Sequence, residues 1–335
     1  MSEKAKAIYK DSIVIDGHFA IEQAMPGKLE EKWELVDSYA AAGVTAVSLS
    51  LANDESKQEA TLAFLALVRQ HILSHPEKYL LAMTKEDILQ AKKQKKLAIR
   101  LMFQGAAPLG MNVNLTELYF QLGISSMVIA YNIRTPMGDG CIENVDAGIS
   151  HLGKRLVQEM NKVGMIIDGA HSSMNTIMDA IEASKLPVIV SHACTYGINP
   201  IPRNVRDEQI KAIAASGGLI GVNGIGLLLG DKNALIKKYV DHIDYIVKLV
   251  GIAHVGIGLD NFYFGEQFNE FMLNQPITNP SAYGKMVDSS MFTCIKPIQL
   301  EDVVEELLVR QYSVNDIKAI LGENFLRVIE LHQGN

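Results

Sequence analysis

Cysteine is scarce in this 335-residue chain: Cys141, Cys194 and Cys294 are all there is. Their number is odd, they lie far apart and no CxxC pattern occurs, so neither a disulfide framework nor a thiolate metal site is expected. Apolar runs long enough to span a bilayer are missing. So is a signal-peptide pattern at the polar N-terminus, Met1-Ser2-Glu3-Lys4-Ala5-Lys6, which reads as leading straight into a strand. Positive charge is in deficit, with 31 Lys and Arg against 38 Asp and Glu and a net charge of −7. No basic stripe with interleaved aromatics is present, which argues against nucleic acid as a partner. The one basic cluster, Lys92-Lys93-Gln94-Lys95-Lys96, ends a predicted helix, where it complements the helix dipole. The glycine motifs of nucleotide sites, GxGxxG after the first strand and GxxxxGK[ST], are absent too. What remains is an ordinary globular composition, 48% hydrophobic and 21% charged, expected in a reducing, cytoplasmic compartment.

One punctuation mark recurs in what is present. A helical pattern ends at a glycine and an apolar strand follows at once, at Gly43, Gly123, Gly164, Gly217-Gly218 and Gly251. Glycine after a last helical turn takes the left-handed conformation that closes a helix. Repeated five times, this is a βαβα pattern with a parallel sheet. Eight strands are expected: Ile13–Ile15, Val44–Leu51, Leu97–Phe103, Met127–Ala130, Met165–Ile167, Val188–Val190, Leu219–Val222 and Val255–Leu259. Helical patterns lie between them, with start signals such as Thr84 before Asp87 and Asn114 before Glu117. The fold class is α/β, and the expected architecture is a (β/α)8 TIM barrel, with an open doubly wound sheet as runner-up. Residues 1–335 read as one domain, with C-terminal helices over about 299–332 packed on it and a loop-rich segment from Asn261 to Pro297 near the barrel mouth.

The chemistry is expected where barrel strands end. Met165-Ile166-Ile167-Asp168-Gly169-Ala170-His171 and Pro187-Val188-Ile189-Val190-Ser191-His192 each close a buried strand on a histidine. The other strand ends carry His18, Gln104, Tyr131-Asn132 and Asp260. Histidines beside an aspartate suit zinc or a similar borderline metal, whereas histidines that only cap strands would bond neighbouring backbone. His71, His75, His151, His242, His254 and His332 read as surface or packing residues.

Asp16-Gly17-His18, Asp168-Gly169-Ala170-His171, Ser191-His192, Arg203-Asn204-Val205-Arg206-Asp207, Gly256-Ile257-Gly258-Leu259-Asp260 and Gly322-Glu323-Asn324-Phe325 together resemble the membrane dipeptidase family of the amidohydrolase superfamily. The resemblance covers nearly the whole chain. It implies a zinc-dependent metallohydrolase that cleaves a dipeptide or similar small amide. It further implies His18, His171, His192 and Gln104 at the metal, and Asp260 and Tyr131 in catalysis. Arg203, with Asn132, would bind a substrate that carries a free carboxylate. No membrane partner is expected, and a homodimer is the candidate assembly. Three departures stand out, one of them Tyr131 in place of a histidine that in the family steadies the developing oxyanion. The family's His-x-Asp reads His18-Phe19-Ala20 here, and Gln104 stands where a bridging glutamate is usual. Bridging two cations needs negative charge, so about one zinc ion per chain is expected. The alternative is a non-hydrolytic descendant that binds a small carboxylate ligand in the same mouth.

Overall fold

The computed structural model describes residues 2–22, 27–261 and 293–333. The strands are β1 (Ile15–Ala20), β2 (Ala46–Ser50), β3 (Tyr79–Leu81), β4 (Leu97–Phe103), β5 (Ile124–Val128), β6 (Ile166–Asp168), β7 (Val188–Ala193), β8 (Ile220–Val222) and β9 (Val255–Ile257). Every pairing is parallel, in the order β2-β1-β9-β8-β7-β6-β5-β4, and a β2–β4 pairing closes the ring. The eight staves fall at the eight expected strands, with β1 running on past Ile13–Ile15 to Ala20 and β5 starting three residues before Met127, so the chain is a (β/α)8 TIM barrel and the open sheet is set aside. β3 is an addition: Tyr79, Leu80 and Leu81 pair with Leu97, Ala98 and Ile99, on the stretch of β4 that precedes its pairing with β5. Three residues are too short for a periodicity argument to detect.

Helices fill the connections, among them Leu29–Ala41, Gln58–Ser74, Lys85–Gln94, His151–Val163, Met174–Ala183, Asp207–Ala215 and Ile236–Val250. The glycine punctuation holds, since Gly43, Gly123, Gly164, Gly217 and Gly251 all have φ between 74° and 102°. Thr84 caps its helix through Asp87 N as expected, but Asn114 makes no side-chain cap. The N-terminus also departs from expectation. It forms a helix, Glu3–Asp11, capped by Ser2 with Ala5, Ile8 and Tyr9 buried on one face, before β1 begins. All three cysteines are free. No helix among the described residues is long and apolar enough to cross a membrane.

Strand starts and strand ends face different fates. Ile15, Ala46, Ala98, Ile166, Ile189 and Leu219, at the beginnings of the strands, form one apolar cluster with Phe325, Leu326, Val328 and Ile329 of the C-terminal helix Asn324–Gln333. That helix therefore plugs the bottom of the barrel and leaves the opposite rim for chemistry. The loop expected over that rim lies mostly outside the described residues.

Three glycines crowd the carbonyl of Ser191. A Cβ on Gly221 or Gly258 would lie 2.0 or 2.1 Å from Ser191 O, and one on Gly17 would lie 2.8 Å from it. These glycines let β1, β8 and β9 close tightly on the strand that carries His192. Gly221→Ala should therefore overpack the barrel and lower stability by about 2–3 kcal/mol, read as a fall in denaturant midpoint.

His242 adds a pH dependence. Thr195 N donates to its Nδ1 at 3.1 Å, so the ring is neutral there and Nε2 donates to Leu229 O. Burial pushes its pKa from the ordinary 6.5 down to about 4. Between those values the unfolded chain takes up a proton that the folded chain refuses, so stability falls as pH drops through that window. His242→Gln should flatten this part of a pH–stability profile.

Candidate metal centre and adjoining cavity

Two aspartates hold the turns that present the histidines. Asp16 Oδ1 accepts from His18 N at 3.2 Å and Leu259 N at 2.8 Å, while its Oδ2 accepts from Tyr39 Oη at 2.9 Å. Asp168 Oδ1 accepts from Ala170 N at 2.9 Å and Ser191 N at 3.0 Å. The Asp-Gly-His and Asp-Gly-Ala-His motifs thus staple a strand tip to its neighbour and fix where the imidazole starts. Both aspartates are fully buried, and burial raises the Asp16 carboxyl to about 6.

The imidazoles converge. His171 Nε2 lies 2.9 Å from His192 Nε2, and the His18 ring stacks on His192 at 3.8 Å between centroids. Asn132 Oδ1, 2.8 Å from His171 Nδ1, can only accept, so that nitrogen carries the proton and Nε2 offers its lone pair. Ser191 Oγ holds His192 Nδ1 at 2.7 Å. Burial first, with the Arg203 guanidinium adding to it, keeps His171 and His192 well below the ordinary imidazole range. They are neutral and ligand-ready.

His18, His192 and Asp260 each offer a donor atom, all within 4.8 Å of one another. Asp260 Oδ1 lies 2.9 Å from His18 Nδ1, close enough for an ion pair but not aligned as a hydrogen bond, and Asp260 Oδ2 accepts from Asn223 Nδ2 at 2.8 Å. Neither His18 nitrogen has a hydrogen-bond partner among the described residues, although the ring is fully buried. An orphaned imidazole beside a carboxylate and two further imidazoles fit a divalent ion far better than they fit histidines that merely cap strands. Backbone strain marks the same place. Asn132, His171 and Asp260 have φ of 61°, 63° and 56°, each at a cost of about 1–2 kcal/mol.

Gln104, expected at the metal, donates its Nε2 to Glu22 Oε1 at 2.5 Å, and Ser50 Oγ donates to the same oxygen at 2.7 Å. Glu22 is a site residue that sequence reasoning missed. Its one sequence signal is an acidic residue two positions past Ala20, just beyond the end of β1. Asn223, which holds Asp260, carried no such signal.

Arg203 is 3% exposed, and its Nη2 donates to His192 O at 2.8 Å while its Nε has no partner among the described residues. It does not anchor its loop through Asp207, which instead accepts from Tyr245 Oη. Arg203 lines a cavity of about 1230 Å³ together with His171, Cys141, Asp146, Tyr196 and Arg206. Arg206 stacks on Tyr196, 3.9 Å from the ring centroid. Tyr131 covers the other face of His171 at 4.0 Å, with its backbone N bound to Asp54 Oδ2. Burial pushes the Cys141 thiol up to about 11, so the cavity holds no thiolate nucleophile there.

Comparison with known proteins bears on the fold and the family. The crystal structure of an amidohydrolase from Pseudomonas aeruginosa has a TM-score of 0.87 at 29% identity, covering 99% of each chain. A metallo peptidase from Rhodobacter sphaeroides, solved with a phosphinate mimic of the dipeptide L-Ala-D-Ala, shares the fold at 16% identity and a TM-score of 0.75, over 96% of this chain and 99% of that one. Dipeptidase 3 of Rattus norvegicus is 26% identical over 283 residues, covering 82% of this chain and 52% of its own length. The chain spans about half the length of the curated relatives it matches, from 41% to 53% of each. The model of the family described as membrane dipeptidase (peptidase family M19) matches residues 2–270, and the chain belongs to that family.

Proposed function

We propose that this protein is a metal-dependent hydrolase that cleaves dipeptides or similar small amides carrying a free carboxylate. The observation that carries this reading is the meeting of His171 Nε2 and His192 Nε2 at 2.9 Å, beside Asp260 and at the edge of the cavity that Arg203 lines. His171 and His192 hold one tightly bound ion, and His18 and Asp260 flank it. An imidazole-rich set with a carboxylate selects zinc over magnesium or calcium. When bound, such an ion supplies Lewis acidity, polarising an amide carbonyl and acidifying water near neutral pH.

The chain's own residues do the rest. Arg203, pinned by His192 O, offers its remaining donors to the substrate carboxylate and sets the distance from that carboxylate to the metal centre. Asp260, fixed by Asn223, takes the proton of the attacking water. Tyr131 walls the site against His171. Asn132 acts through His171: it is a positioning residue rather than the substrate-binding group that the resemblance implied.

Asn132→Leu should weaken zinc binding by about 10–100-fold, whereas Asn132→Asp, which keeps an acceptor on Nδ1, should restore it. Chelator-competition titration reads both. The hydrolase reading is tested by assaying protein purified without chelators on a panel of dipeptides. Ala20 and Gln104 favour the alternative, a pocket that binds carboxylates without turnover. Metal-loaded protein that binds such ligands and hydrolyses none of them would establish it.

A further inference from the structure

A charge without a counter-charge lies at the closed end of the barrel. Arg100, midway along β4, shares its face of the strand with Ala98, a member of the apolar cluster at the barrel bottom. The side chain is only 4% exposed. Its Nη1 donates to Met83 O at 3.0 Å, and no other hydrogen bond or ion pair of this guanidinium occurs among the described residues. Asp87, whose charge reaches it, is already committed, since its Oδ2 accepts from Met83 N at 2.9 Å and Thr84 N at 2.8 Å. Burial lowers the Arg100 pKa to about 10, so the charge persists at neutral pH.

Arg100 lines a cavity of about 420 Å³ with Thr84, Gln121, Ser125, His332 and Gln333, and no acidic side chain is among the described residues that line it. The other titratable group of the lining is His332. Burial first, with the charge of Arg100 adding to it, lowers its pKa to about 4, so Arg100 alone sets the charge of this space. Gln333 Nε2 approaches the same Met83 carbonyl at 3.4 Å, which brings the last turn of the C-terminal helix to this edge. A buried cation left unpaired is costly, and an arginine cannot shed its proton to escape that cost. With Nη1 turned to Met83, the edge formed by Nε and Nη2 remains, a flat two-pronged donor that matches two oxygens of one anion.

We propose that Arg100 Nε and Nη2 bind a compact oxyanion, a carboxylate or a phosphate, in this cavity at the barrel bottom. The site lies at the opposite end of the strands from the metal centre and does not rest on the hydrolase reading. The competing state is a guanidinium hydrated by water alone, which would show no saturable anion binding.

Calorimetric titration of wild type and Arg100→Met with inorganic phosphate, and separately with acetate, distinguishes the two states. Anion taken up at the metal centre or by Arg203 is common to both proteins and cancels. Wild type should bind one equivalent more than Arg100→Met of at least one probe, and the probe held more tightly tells a phosphate-bearing ligand from a carboxylate-bearing one. Arg100→Lys, which keeps the charge but loses the fork, should weaken that equivalent by about tenfold or more. Identical titrations of wild type and Arg100→Met with both probes would overturn the proposal. Should the variants not fold, anomalous scattering from wild-type crystals soaked in selenate decides. A selenium peak against Nε and Nη2 of Arg100 is expected, and its absence at saturating selenate contradicts the proposal.

Discussion

Replacing His192 by alanine should strip the protein of its tightly held metal. This residue touches both other histidines of the rim: its Nε2 meets His171 at 2.9 Å, its ring stacks on His18 at 3.8 Å, and it belongs to the cluster with Asp260. Loss of a group that only orients a ligand weakens metal binding by about 10–100-fold, so loss of this ligand should exceed about 100-fold. Elemental analysis after dialysis measures the effect. His151→Ala, at an exposed position, serves as the control that keeps its metal. His171→Ala should behave like His192→Ala. His18→Ala should cost less at the tight site, because its ring stacks on His192 while His171 meets His192 nitrogen to nitrogen. Retention of full metal content by His192→Ala, with the fold intact by circular dichroism, would mean that these imidazoles only pack.

Arg203→Lys should weaken binding of a carboxylate ligand by about 10–100-fold, equivalent to losing one charge-assisted hydrogen bond of about 1.5–3 kcal/mol. The guanidinium is buried, and one donor is already committed to His192 O, so its orientation toward the cavity is set before a ligand arrives. Its Nε remains an unmet donor among the described residues. Lysine keeps the charge but cannot hold the backbone carbonyl and reach a carboxylate with a flat two-pronged donor at once. Calorimetric titration with a dipeptide or a non-hydrolysable analogue reads the change. Equal affinity in the two proteins would mean that the arginine serves only to brace His192.

The barrel was legible in the sequence because parallel strands buried on both faces read as short apolar runs, and because five helices end on glycines that the backbone requires. β3 and the N-terminal helix Glu3–Asp11 were not. The first is three residues long. The second is polar on its outward face, and its burial depends on contacts distant in sequence, such as the bond from Ser2 to Glu305 at 2.6 Å. At the site, His18, His171, His192 and Asp260 stand out because strand ends concentrate polar residues on one rim. Glu22 does not stand out, because it lies past the end of β1 and outside the motif that His18 opens. Asn132 was visible as a residue but not in its role. The contact of its Oδ1 with His171 Nδ1, on which the proposed positioning role rests, is visible only in the structure.

The central claim is that metal held by the rim histidines drives hydrolysis of small amides with a free carboxylate. Its most direct test is the rate of dipeptide cleavage by the purified protein, measured before chelation, after chelation, and after zinc is returned. Cleavage that disappears with the metal and comes back with zinc is the predicted result. Metal-loaded protein that leaves every dipeptide intact would contradict it.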